Sequence, residues 1–120
     1  MKAIEKELDA LVQRLHKSQR CHICGVKYAE AIHHIIGRSN KMLRYDIVNL
    51  LPVCYDCHRK IHDEGLNALH YIPKEQAQYL MQVKNESYKD FLTFEMQMTE
   101  DEYLKQCKQS LLKVINAYLN

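Results

Sequence analysis

Four of the five cysteines stand as two pairs, Cys21-His-Ile-Cys24 and Cys54-Tyr-Asp-Cys57. A C-x-x-C pair lets two thiolates reach one ion from a single tight turn. Two such pairs supply the closed, tetrahedral four-sulfur shell of a structural zinc site. The 29 residues between the pairs exceed the commonest zinc-ribbon spacing, but loop-closure cost grows slowly with length. The pattern predicts a structural Zn2+ on Cys21, Cys24, Cys54 and Cys57. Neither pair sits in a thioredoxin-like context, which argues against a redox role. Cys107 lies alone on the apolar stripe of a predicted helix and reads as a core residue.

The histidines define a second chemistry. Five of the seven fall between positions 22 and 62. His58 and His62 are four apart, so on a helix they share one face. His33 and His34 are adjacent, so in an extended segment they point to opposite faces. One of that pair can bind a metal with His58 and His62, while its neighbour does something else. An ion with three protein ligands keeps a position open for a phosphate oxygen, and a free imidazole can accept a proton near neutral pH. His22, inside the first cysteine turn, reads as a surface residue, and His16 and His70 read as having no part in a site.

The segment HHIIGRSNKMLRYDIVNLLPVCYDCHRKIH resembles the HNH endonuclease family. Its order is His33-His34, fourteen residues, Asn49, eight residues, His58, three residues, His62, similar to the colicin-type nucleases. The flanking cysteine pairs resemble the zinc-containing phage and bacterial branch. The resemblance covers about 45 of 120 residues and neither flank. It implies a ββα-metal, treble-clef-like core in which His33, His58 and His62 hold a catalytic divalent ion. His34 would be the general base that activates water, and Asn49 would orient the site by fixing the loop or polarising the base. The products would carry a 5′-phosphate and a 3′-hydroxyl. Many zinc-containing members have Asp where this chain has His33. The neutral imidazole softens the site and widens the choice of ion from Mg2+ to Mn2+, Ni2+ or Zn2+. Some members take a single ligand from the helix after the second cysteine pair, which leaves His62 open between ligand and supporting residue.

Charge is distributed to match. Residues 20–62 carry seven Lys/Arg and three acids, whereas residues 63–120 carry six basic and nine acidic groups. The basic excess lies where the cysteines and histidines lie, as expected where a polyanion meets the chain. Arg38, just after the histidine pair, is the expected phosphate clamp, because a guanidinium can pair with two phosphate oxygens. Lys41, Arg44, Arg59 and Lys60 are expected backbone contacts, which supply affinity without sequence choice. Tyr28, Tyr45 and Tyr55 are too few to predict base stacking.

These residues need a scaffold. Leu8, Leu11, Val12 and Leu15 recur at helical spacing within a helix predicted over 3–18, which leaves Asp9 off the stripe. AEAIHHII and IVNLLPV read as strands joined by a polar connection, and 56–63 as a helix ended by Gly65. Further helices are predicted from Pro73 to Lys84, over 86–96 with Asn85 as cap, and from a Thr99–Glu102 capping box to the C-terminus. The last carries a stripe of Tyr103, Leu104, Cys107, Leu111, Val114, Ile115 and Tyr118.

The expectation is therefore an α+β fold: an N-terminal helix over 1–19, a zinc-stapled ββα core over 20–65 and a helical extension over 66–120, together one compact domain. No apolar run approaches membrane-spanning length, and the N-terminus lacks the apolar stretch of a signal peptide. A cytoplasmic protein of a bacterial or phage-infected cell is expected. The partner expected is DNA, with duplex, branched and single-stranded forms and RNA all left open, and the chain a monomer or homodimer. The function expected is metal-dependent hydrolysis of phosphodiester bonds. The alternatives are a non-catalytic nucleic-acid-binding zinc module and a phage recombination or DNA-processing accessory protein.

Overall fold

Two short antiparallel strands form the centre of a small α+β structure. In the computed structural model, which describes residues 1–119, β1 (Ala31–His34) pairs with β2 (Leu50–Val53) in the register Ala31↔Val53 to His34↔Leu50. Directly paired residues share a face of a sheet, and successive residues alternate. Leu50 accordingly enters the large apolar core, while Leu51 and Val53 enter a smaller one built with Cys21, Cys54, Cys57 and Ala68. β2 is buried on both faces.

The helix α2 (Tyr55–Asp63) starts one residue after β2. Cys54 caps it, its Sγ accepting from the Cys57 N–H at 3.4 Å. The Glu30 carboxylate accepts from the Tyr55 N–H at 3.2 Å, placing negative charge at the helix's positive end. Gly65 ends α2 with φ +69°, and the Leu66 N–H reaches back to the Lys60 carbonyl at 3.2 Å. Only glycine takes that left-handed turn without strain.

Several boundaries differ from the sequence expectation, and β1 keeps only Ala31–His34 of the expected AEAIHHII strand. The first helix, α1, spans Ala3–Val12 rather than 3–18. Ser18 turns left-handed at φ 63°, and the chain must bend there toward the first cysteine turn. Ile47–Asn49 is a 3-10 turn rather than strand, because the Asp46 carboxylate accepts from the Val48 N–H at 3.1 Å. The helix expected over 86–96 is capped by Ser87, not Asn85. It runs as α4 (Tyr88–Asp90) into a π-helical segment, Phe91–Met96.

The flanks share the large core with the hairpin. α3 (Lys74–Val83) contributes Leu80 and Val83, and α5 (Glu100–Leu119) contributes Tyr103, Leu104, Cys107, Leu111 and Ile115. The Thr99 capping box forms as expected, with reciprocal bonds to Glu102 at 3.2 Å. Tyr118 departs from the expected stripe and is 49% exposed. α1 lies against α5 and is fastened by Lys2–Glu100 and Lys108–Glu7 ion pairs of 2.5 and 2.6 Å. The connection between the strands is held from behind. Tyr103 donates to the Met42 carbonyl at 2.5 Å, Asn40 to the Lys84 carbonyl at 3.1 Å and Tyr79 to Asp46 at 2.9 Å. Among the described residues, no helix is long and apolar enough to cross a membrane.

Candidate metal centres and the adjoining surface

The four paired cysteines meet, their Sγ atoms all within 4.8 Å of one another. The first pair sits in a turn closed by Cys21 N–H to Lys27 carbonyl at 2.8 Å and Gly25 N–H to Cys21 carbonyl at 2.9 Å, with Gly25 at φ +67°. The second pair straddles the start of α2. Electrostatics at the sulfurs fits a cation. The backbone N–H groups of Lys27 and Val26 lower the Cys24 thiol to about 6. Burial pushes Cys21 up, but N–H groups of Cys24, Cys54 and Ile23 outweigh it and the net shift is downward. Burial, reinforced by the neighbouring thiols, pushes Cys57 up to about 12. Four sulfurs this close can all be thiolates only around a positive ion, and a metal deprotonates its thiols outright.

The histidines form a second cluster on the other half of α2. His33, His58 and His62 offer ring nitrogens within 4.8 Å of one another, with ring centroids 4.7–5.5 Å apart. The Nε2 atoms of His58 and His62 face each other at 3.1 Å. Two imidazoles on one tetrahedral ion, each about 2.0–2.1 Å from it, have nitrogens roughly 3.4 Å apart. The geometry thus brings His62, left open by the sequence, into the group. Burial, followed by the neighbouring His58, His62 and His34, lowers His33 to about 4. Burial also lowers His58. Neutral imidazoles are the form that binds metal.

His34 lies outside this cluster. Strand alternation turns His33, opposite Leu51, toward α2. His34, opposite Leu50, falls on the other face, among Arg38, Arg44 and Asp9. Burial first, then the charge of Arg38, lowers its pKa, partly offset by a hydrogen bond to the Arg44 backbone and by Asp9.

Asn49 is fully buried and touches neither set of histidines by hydrogen bond. Its Oδ1 accepts from the Ile36 N–H at 2.7 Å, and its Nδ2 donates to the carbonyls of Ile36 and Leu43 at 3.0 Å each. Of the two roles open to it, loop fixation is the one the hydrogen bonds describe.

Of the expected phosphate contacts, Lys41, Arg59 and Lys60 are exposed, Arg59 in a 3.3 Å ion pair with Glu64. Arg38 is exposed, with Asp9 3.8 Å away. Arg44 is used differently. Its guanidinium is 18% exposed and holds both carboxylate oxygens of Asp9, at 2.9 and 3.1 Å, so it ties α1 to the connection between the strands. His22 is exposed, as expected, and so is His70; His16 is partly buried. Asp9 and Glu30 are the neighbours that sequence reasoning missed. Both lie off any apolar stripe, and their partners are 35 and 25 residues away, so no local signal marks them.

Two outcomes follow from this geometry. Asn49→Ala strips the partners from three backbone groups, of which a buried one costs about 1–3 kcal/mol. Chemical unfolding should show a loss of roughly 3 kcal/mol or more; a loss below about 1 kcal/mol would contradict the loop-fixing role. His33 has a folded pKa of about 4 against an ordinary 6.5. With no ion on the histidines, the unfolded chain therefore binds the extra proton first, and stability falls as pH drops from 6.5 toward 4. The melting temperature of wild-type protein should fall more steeply across that window than that of His33→Gln; equal slopes would refute it.

Residues 19–64 match the family model described as HNH endonuclease. Searches of the curated proteins and of the solved structures gave no match. The matched segment holds both cysteine pairs, the hairpin, Asn49 and α2, and leaves out α1 and all helices after Gly65. Over residues 19–64, therefore, the chain is similar to the HNH endonuclease family.

Proposed function

We propose that the protein is a metal-dependent endonuclease that hydrolyses phosphodiester bonds in DNA. One observation carries this reading: three imidazoles converge on a single point while a fourth, His34, stands next to them along β1 in surroundings of its own. A module that only binds nucleic acid needs no free base beside a three-histidine site. A divalent ion on His33, His58 and His62, drawn from Mg2+, Mn2+, Ni2+ or Zn2+, would supply Lewis-acid stabilisation of charge on the phosphate.

The chain's own residues do the rest. His34 has a lowered pKa, so it is neutral at neutral pH and can take a proton from the attacking water. Burial and the adjoining Arg38 oppose its protonation, which favours passing that proton on. Arg38 is exposed and only loosely engaged by Asp9, so its guanidinium can move to phosphate oxygens. Asn49 is a positioning residue that holds Ile36, two residues beyond His34. Lys41 and Lys60 extend the contact along the backbone of the nucleic acid. The ion at Cys21, Cys24, Cys54 and Cys57 is proposed to be Zn2+, for which four thiolates in a tetrahedral shell are the preferred structural site.

Plasmid DNA incubated with Mg2+, Mn2+, Ni2+ and Zn2+ in turn should be nicked or linearised with at least one ion. His34→Ala should lower that rate by about 100-fold or more, the range of general-base contributions, while keeping its thiol-bound metal. DNA left intact with all four ions would favour a binding module instead, and undiminished cutting by His34→Ala would remove His34 from the role of base.

A further inference from the structure

Two of the three tyrosines in the 20–62 segment are displayed rather than buried. Tyr45 is in the core, whereas Tyr28 and Tyr55 are 61% and 62% exposed. Their corner of the surface is well built. The Glu30 carboxylate holds the Tyr55 N–H, Lys27 pairs with Asp56, and Arg20 lies over the Tyr28 ring at 4.1 Å while its Nη1 donates to the Val26 carbonyl at 2.9 Å. Residues 27–30 are thereby fastened to the first turn of α2, beside both tyrosines.

The position of Tyr55 tells what would cover it. Tyr55, His58 and His62 stand at i, i+3 and i+7 of α2 and form one stripe. His58 thus stands one turn of helix after Tyr55 on the same side of α2. The rise between the two residues is about 4.5 Å. A strand whose phosphate lies at the histidine cluster and that runs along this stripe toward the start of α2 passes over Tyr55. An exposed aromatic ring next to such a phosphate is a stacking surface for the adjoining base, and stacking requires that the base be unpaired.

We propose that Tyr55 stacks on the nucleobase adjoining the phosphate held at His33, His58 and His62, and so directs the site toward unpaired strands. The proposal rests on the nuclease reading for the position of the phosphate, but it concerns binding and can be tested without cutting.

The full-length His34→Ala protein serves as the parent, so that the probe is not consumed. Single-stranded DNA carrying 2-aminopurine, whose fluorescence is quenched on stacking, is titrated against it, followed by the matching duplex. The parent should quench the single-stranded probe. Tyr55→Ala should weaken single-strand binding about tenfold, the scale of one aromatic stack, and abolish most of the quenching. Tyr55→Phe should retain both, and duplex binding should change less than about twofold. The ring is mostly exposed, so these variants should keep the parent's circular dichroism and bound metal. The proposal is overturned if Tyr55→Ala binds the single strand as tightly as the parent, if it loses single strand and duplex equally, or if the parent prefers duplex. Cutting by the unmutated chain is read separately. Stacking without cutting would sink the nuclease reading and keep this one; cutting without any effect of Tyr55 would do the reverse.

Discussion

The convergence of Cys54 and Cys57 with Cys21 and Cys24 at the first turn of α2 is the constraint from which the rest of the site follows. Nine residues of helix, with few apolar side chains, would not hold a position by themselves, since short helices are marginal in water. Here the helix is tied at its N-terminus to the first cysteine turn, capped by Cys54 and Glu30, and ended by Gly65. With one end fixed to the end of β2, the helical repeat carries His58 and His62 onto the side that faces His33. The cysteine cluster thus does its work at a distance, by setting the rotation of α2 about its own axis.

The second constraint is the two-residue repeat of β1. Adjacent histidines on a strand cannot serve one ion together, so the hairpin sorts them: His33 to the α2 side and His34 to the side of Asp9, Arg38 and Arg44. The sorting holds only if the end of the strand does not slip. Asn49 prevents this by taking the hydrogen-bonding place of a further residue pair, receiving the Ile36 N–H and binding two carbonyls of the strand connection. Of the two ways in which Asn49 is expected to orient the site, its hydrogen bonds to the backbone of Ile36 and Leu43 match the fixing of the loop. The flanks act on the same connection, through Arg44–Asp9, Tyr103–Met42 and Tyr79–Asp46.

Much of this was legible because it is local. The C-x-x-C pairs, the i, i+4 histidines and the Thr99 capping box are short-range patterns whose geometry follows from the period of the element. Their grouping in space agrees with the spacing. What the sequence did not disclose rests partly on local competition between side chain and backbone and partly on contacts far along the chain. The replacement of strand by a 3-10 turn at Ile47–Asn49 is set by the Asp46 side chain competing for backbone N–H groups, and after Val12 α1 gives way to three-residue turns bonding Arg14 to Leu11, Leu15 to Val12 and Lys17 to Arg14. The assignment of Arg44 to Asp9 rather than to a phosphate could not be seen, because a surface arginine and a half-buried one look alike in sequence. The exposure of Tyr28 and Tyr55, against the burial of Tyr45, is a property of the fold alone.

The most direct measurement is the number and ligation of metal ions in the purified full-length chain, by elemental analysis and X-ray absorption at each metal's edge. Two classes of ion should appear. One, proposed to be zinc, is retained through gel filtration, surrounded by four sulfurs and lost in Cys54→Ser. The other exchanges readily, has nitrogen and oxygen neighbours only, and is lost in His58→Ala while the first remains. A chain that folds with no ion on its cysteines, or one ion with mixed sulfur and histidine ligands, would contradict two separate centres joined through α2.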